Sequence, residues 1–199
     1  MKSNLMIQKE KGQVIKICDS PKMFQKELYI YQKELPYTPK LLDHDGKITL
    51  MLEYIDGISI VDMEQPDFIE IGKMIAQLHE LENKDGKVIC HIDNNPNNFL
   101  YSDSKYFMLD FSEWKYDLPE KDLIHFLLFW ASIYDKTRFA GSFEGIMQGY
   151  KSIGRINPLE WEMLIPEVIE RFDSRRKYFG KQEKNSDLKQ NREILKEIY

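Results

Sequence analysis

From Cys90 to Trp114 the chain reads CHIDNNPNNFLYSDSKYFMLDFSEW, which gathers His91, Asp93, Asn98 and Asp110 around two short apolar runs. Pro96 and the neighbouring asparagines keep the segment between those runs out of helix. Asp93, Asn98 and Asp110 are therefore expected to converge at one end of a strand pair. Two carboxylates and an amide oxygen are hard ligands of the kind that hold Mg²⁺, which keeps waters and phosphate oxygens at its other positions. A site of that composition needs a nucleotide. Taken singly, His91 or Asp93 reads as a structural hydrogen-bonding residue; the order in which the groups occur carries the chemistry.

The elements that must position these groups follow from periodicity. Residues 4–9 and 13–18 are short β-branched segments on either side of Gly12 and read as a hairpin. Ser20 and Pro21 supply an N-cap and a first helical residue, and Phe24, Leu28, Tyr31 and Leu35 continue at helical spacing, so a helix is expected over 21–35, stopped by Pro36 and Pro39. Lys40 to Ile55 flanks Gly46 as a second strand pair. Asp67 and Glu70 form a capping-box pattern ahead of a helix with Phe68, Ile71, Ile75 and Leu78 on one face, ending near Asn83 to Gly86.

Beyond the central stretch the chain is mostly helical. Residues 121–134 are apolar nearly all round and read as a helix buried on several sides. SFEGIMQGYKSIG reads as a further helix, and Trp161, Leu164, Ile165, Val168 and Phe172 keep helical spacing across Pro166, which is expected to kink or divide that element. The charged tail from Lys181 to Lys196 is expected to be a solvated or frayed helix without chemistry. His79 and His125 fall within helices and read as packing or surface residues, and Asn94, Asn95 and Asn97 as turn formers.

Composition narrows the function classes. At 199 residues, 42% hydrophobic and 31% charged, the chain suits one domain or two small lobes with a sizeable core. With 28 basic against 33 acidic residues, a net charge of -5, it offers no general field for nucleic acid or an anionic membrane. No apolar run approaches the roughly 18 residues of a membrane span, and the N-terminus lacks the apolar core of a signal peptide, so a cytoplasmic location is expected. Cys18 and Cys90 lack metal-ligand spacing and read as reduced thiols.

The pattern HxDxxxxN (His91, Asp93, Asn98), followed by an apolar strand ending in Asp110 and Phe111, resembles the catalytic loop and metal-binding Asp of the protein-kinase-like superfamily. CHxDxxPxNFL and LDFSEW look most like its aminoglycoside phosphotransferase and choline kinase branch. The resemblance implies an α+β bilobal fold: a small antiparallel-sheet lobe with one helix over residues 1–55, truncated at its start, and a mostly helical lobe over 56–199. It makes Asp93 the catalytic base or orienting group and His91 a brace of the loop, with Asn98 and Asp110 ligating Mg²⁺ on the phosphates of ATP. Lys16 stands where the family places its phosphate-binding lysine, Glu27 where it places the ion-pair partner, and MLEYIDG resembles the hinge, with backbone groups of Glu53 and Ile55 for adenine. Asp122 matches the Asp that fixes the catalytic loop.

On this resemblance the chain is expected to move the γ-phosphoryl group of ATP to a hydroxyl of a small molecule. Two other readings stay open. A compact atypical protein kinase or ATPase, like the kinase of the KEOPS complex, would use Arg171, Arg175, Arg176 and Lys177 as a surface for a protein partner. A pseudokinase or binding module would keep the fold without turnover. The chain starts some fifteen residues before Lys16, and only Ser3 and Asn4 resemble the end of the family's glycine-rich loop, from which a weak phosphate grip is expected. Asp117, Glu120, Glu113 and Trp114 are candidates for an acidic, aromatic wall suited to an amine-bearing substrate, with a solvated loop as the competing reading.

Overall fold

The computed structural model describes residues 4–180 and 185–197. Ser3 and the first residues of the charged tail lie outside that range. Contacts divide the chain into two compact units: the chain up to Glu64 together with Pro96–Trp114, and Gln65–Asn95 together with the chain from Lys115.

The first unit starts with β1 (Asn4–Gln8) and β2 (Gln13–Ile17), joined through a 3-10 turn that Gly12 closes at φ 62°. Helix α1 (Pro21–Tyr31) follows, with the Ser20 side chain accepting from Met23 N–H at its start. It ends one turn before the expected Leu35. Lys33 N–H and Glu34 N–H bond back to the carbonyls of Ile30 and Tyr31, three residues earlier, and Glu34 adopts φ 52°. Leu35 therefore belongs to a turn, its carbonyl accepting from Thr38.

Strands β3 (Leu41–His44) and β4 (Thr49–Glu53) complete an antiparallel sheet in the order β1-β2-β4-β3, with β2 central beside β4. Lys16 lies opposite Leu5 on one side and Leu50 on the other. Phe24, Ile30, Tyr31 and Leu50 are all buried. A second sheet combines β5 (Ile58–Ser59) with the hairpin β8 (Phe99–Ser102) and β9 (Lys105–Met108), in the order β5-β8-β9. That pairing is what draws residues 96–114 into the first unit.

In the second unit, α2 (Phe68–His79) is capped by Asp67, whose carboxylate accepts from the N–H groups of Ile69 and Glu70. The segment from Asn83 is a hairpin and not the end of this helix. Strands β6 (Asn83–Lys84) and β7 (Lys87–Cys90) are joined by Asp85 at φ 53° and Gly86 at φ 80°, the two left-handed residues that a tight Asp-Gly turn requires. Strand β10 (Lys115–Asp117) pairs with β7 on its other side.

Four helices complete the unit: α3 (Pro119–Ala131), α4 (Lys136–Lys151), α5 (Pro158–Tyr178) and α6 (Leu188–Ile194). Leu123, Phe126, Leu127, Leu128 and Trp130 of α3 are fully buried, as its apolar circumference demands. Each contributes roughly 1.5–3 kcal/mol by leaving water, which makes α3 the anchor of this unit. Helices α2 and α4 touch backbone to backbone. A Cβ on Gly72 would lie 2.3 Å from the Ile146 carbonyl oxygen, and one on Gly149 would lie 2.0 Å from that of Ile69.

Pro166 does not divide α5, which runs unbroken for 21 residues. Pro166 is exposed, and so is Glu162, whose carbonyl loses its helical donor to the proline. The described part of the tail is docked instead of solvated. The side-chain amides of Asn185 and Asn191 both donate to the carbonyls of Ala131 and Tyr134, the unpaired acceptors at the end of α3, and the Leu195 carbonyl accepts from Trp161 Nε1 at 2.7 Å. Asn191 and Leu195 are consequently buried. Among the described residues, no helix is long and apolar enough to cross a membrane.

Candidate functional site

In the first unit, three charged groups from distant parts of the sequence meet. Lys16 projects from β2, Glu27 from α1, and Asp110 follows β9. Lys16 Nζ donates to Glu27 Oε1 and, at 2.8 Å, to Asp110 Oδ1. Glu27 is fully buried and the Lys16 side chain is 6% exposed, while Asp110 keeps 37% of its side-chain surface.

Burial opposes charge on the lysine, yet the two carboxylates outweigh it and raise its pKa. Burial likewise opposes the Asp110 charge, and Lys16 overcomes it, holding that carboxyl well below the usual range. Glu27 is buried deepest, and burial pushes it up to about 7 against the pull of Lys16. The lysine is thus cationic and Asp110 anionic, while Glu27 sits at the edge of protonation at neutral pH.

Asp110 holds φ 62°, a left-handed conformation that short polar side chains tolerate. Ser112 Oγ donates to the same Oδ1 at 2.8 Å. Asn98 ends a 3-10 turn that begins at Pro96, and its carbonyl accepts from Leu109 N–H at 2.8 Å, fastening that turn beside the strand leading into Asp110. The exposed carboxylate surface of Asp110, beside a fixed ammonium, suits a divalent cation with phosphate: hard oxygen donors for the metal, a cation for the anion. At the end of β4, Glu53 N–H is taken by the Lys40 carbonyl and Tyr54 N–H by that of Gly12. Ile55 N–H has no acceptor among the described residues and is available to a ligand.

His91 and Asp93 belong to the second unit. Asp122, near the start of α3, accepts from His91 N–H at 2.8 Å and from Ile92 N–H at 2.9 Å. Its Oδ2 also faces His79 Nε2 at 3.1 Å, and His79 Nδ1 lies 2.8 Å from the Tyr150 hydroxyl. Although Asp122 is completely buried, His79 and the loop amides hold its pKa down to about 2. Asn94 adds a further tie, its buried side-chain amide donating to the Asp122 carbonyl at 2.9 Å. Ile92 sits at φ 71°, a conformation a β-branched residue adopts only under constraint. Asp93 follows this strained residue, about a third exposed, with Arg175 Nη2 at 3.9 Å from its Oδ1.

Lys16, Glu27 and Asp110 thus come together in one unit with Asn98 alongside by its backbone, and His91, Asp93 and Asp122 come together in the other. Sequence reasoning gave Ser112 no role and read Asn94 as a turn former, His79 as a packing or surface residue and Arg175 as part of a partner surface. Asn94 and His79 act on the loop only through Asp122 and so leave no pattern of their own. Three of the four residues weighed as an acidic wall have other work. Asp117 pairs with Lys115, Glu120 accepts from Asn157 N–H, and Trp114 stacks on Tyr29 while donating to the Lys26 carbonyl; Glu113 is exposed.

No family model matches the chain, and no curated protein matches it. Solved structures do. The choline kinase LicA from Streptococcus pneumoniae is 14% identical and superposes with a TM-score of 0.61, covering 96% of this chain and 88% of that one. An aminoglycoside phosphotransferase, APH(3'')-Id from Streptomyces rimosus, is 11% identical with a TM-score of 0.61 over 96% and 88%. A Plasmodium vivax ethanolamine kinase is 10% identical with a TM-score of 0.60 over 98% and 80%. The fold is the α+β protein-kinase-like fold. Within it, these structural neighbours are those of the aminoglycoside phosphotransferase and choline kinase branch.

Proposed function

We propose that this chain is an ATP- and Mg²⁺-dependent phosphotransferase acting on a hydroxyl of a small molecule. The observation that carries this reading is the buried Lys16 with its two carboxylates. Burying three ionisable groups is costly, and hydrophobic residues of similar size would stabilise the unit as well or better, so the cluster argues for chemistry. The fold supports the same class, since its structural neighbours include a choline kinase complexed with AMP and a spectinomycin phosphotransferase complexed with ADP.

Lys16 and Asn98 with Asp110 are assigned to the phosphates and their cation, and Ile55 N–H to the adenine edge. Asp93 is assigned to the acceptor, taking its proton as the hydroxyl oxygen bonds to the γ-phosphorus and the bond to the β–γ bridging oxygen breaks, releasing ADP. The cation supplies charge neutralisation on the phosphates when bound. Asp122, through the amides of His91 and Ile92, fixes the backbone from which Asp93 projects.

The test is Asp93→Asn. Nucleotide binding should persist while turnover with a productive acceptor falls by about 10²- to 10⁴-fold, the usual worth of a positioned base. An Asp93→Asn variant as fast as wild type would remove Asp93 from the chemistry.

A further inference from the structure

The second unit contains a small cleft of about 30 Å³ between α3 and α5, with Ile92 of the Asp93 loop in its wall. Its charge depends on which lining groups are already matched. Lys121 is tied to Glu167 at 2.7 Å, Asp117 to Lys115 at 2.6 Å, and Asp122 is buried against His79 and the loop amides. Those acids and that lysine are therefore spent within the fold.

Two guanidinium groups remain. Arg171 and Arg175 lie four residues apart on α5, on one face, and both line the cleft. Arg171 is exposed and has no ion pair among the described residues, and Arg175 has Asp93 at the long distance of 3.9 Å. On the α3 side the cleft is lined by His125, whose Nδ1 has no hydrogen-bond partner among the described residues. Burial pushes this imidazole down to about 4, with Arg175 and Arg171 acting in the same direction against Asp122 and Asp93. It is neutral at physiological pH, and the positive charge of the cleft is that of the two arginines.

From this geometry we infer that the cleft holds the acidic end of the acceptor, a small hydroxyl compound bearing a carboxylate or phosphate group that Arg171 and Arg175 grip. Planar guanidinium groups match such anions with paired N–H donors. Because Arg175 also approaches Asp93, an anion on its outward edge leaves a hydroxyl a few bonds away within reach of the Asp93 carboxylate. An ammonium-bearing acceptor such as choline would meet two like charges instead. The inference rests on the phosphotransferase reading and adds the substrate class to it. The transfer step is unchanged: the acceptor oxygen bonds to the γ-phosphorus, its proton passes to Asp93, and ADP is released.

The experiment is side-chain NMR on protein labelled with ¹⁵N-arginine, titrated with glycerol 3-phosphate, D-glycerate, glycerol and choline, with ADP formation from Mg-ATP followed on the same samples. Saturable shifts of the Arg171 and Arg175 Nε–H signals are expected with the two anions and not with glycerol or choline. Arg171→Gln, at an exposed position, should weaken glycerol 3-phosphate binding by about tenfold, and Arg171→Lys by less. Equal response to choline, or anion affinity unchanged in Arg171→Gln, would overturn the inference. Arginine shifts without ADP formation from any acceptor would uphold the anion cleft and count against the phosphotransferase reading. ADP formation with choline and no arginine shift would do the reverse.

Discussion

Asp122 and Ile92 hold one another: the Ile92 amide donates to the Asp122 carboxylate at 2.9 Å, and Ile92 keeps φ 71° under that bond. Strain of that kind costs about 1–3 kcal/mol and persists only where the surroundings impose it. Asp122 imposes it with two carboxylate oxygens and its own carbonyl, which receive His91, Ile92 and Asn94. Asp122→Asn keeps the size but turns a donor toward a donor. It should lower unfolding free energy by about 3 kcal/mol or more in urea denaturation near neutral pH. A variant as stable as wild type would show that the loop does not depend on this residue.

The same carboxylate sets an acid limit. Its folded pKa of about 2 lies below the 3.8 of an unperturbed Asp, so the stability it contributes is complete above about pH 4 and is lost as pH falls toward 2. A depression of this size corresponds to about 2 kcal/mol. The stability gap between wild type and Asp122→Asn should therefore hold above about pH 4 and narrow between about pH 4 and about pH 2. A gap that widened on acidification would contradict the direction of the shift.

Gly149 is where α2 and α4 meet backbone to backbone. A methyl group there would lie 2.0 Å from the Ile69 carbonyl, which belongs to a helix and cannot rotate aside. Gly149→Ala should destabilise by about 1–3 kcal/mol or more. Gly141, on the same helix with nothing within 4 Å of an added Cβ, provides the control. Gly141→Ala should be neutral or stabilising by up to about 1 kcal/mol, from helix propensity alone. Equal effects at the two positions in thermal denaturation would remove close packing as the cause.

The parts of this account that were legible in the sequence are those encoded by local order. Lys16 on a β-branched strand, Glu27 on the next helix, and the spacing from His91 to Asp110 identified the fold and named the groups that the structure brings together within each unit. Short-range stops were read too generously. Leu35 kept helical spacing, but its carbonyl was needed for the turn to Thr38. Asn83–Gly86 resembled a helix end and is a hairpin turn, since Asp85 and Gly86 have the left-handed conformation for it.

What periodicity could not reach were bonds between distant residues. Asn185 and Asn191 dock the tail by capping α3, and nothing in a charged, sparsely apolar segment announces that its two asparagines will find the same pair of carbonyls. His79 read as a packing residue because its partners, Asp122 and Tyr150, lie 43 and 71 residues away. Arg176, grouped with its neighbours as surface for a partner, turns inward to the Ser132 hydroxyl at 3.0 Å, whereas Arg171 and Arg175 face the cleft.

The central claim is that Lys16 with Asp110 is a phosphate and metal site, and thermal unfolding with Mg-ATP tests it most directly. Wild type should gain stability, by about 2.7 kcal/mol when the nucleotide stands at a hundred times its dissociation constant. Lys16→Met should keep its fold, because Glu27 already takes up a proton at about pH 7 and is neutral once the lysine is gone. It should lose the nucleotide response. A wild-type protein unmoved by millimolar Mg-ATP, or a Lys16→Met variant stabilised as much as wild type, would contradict the account.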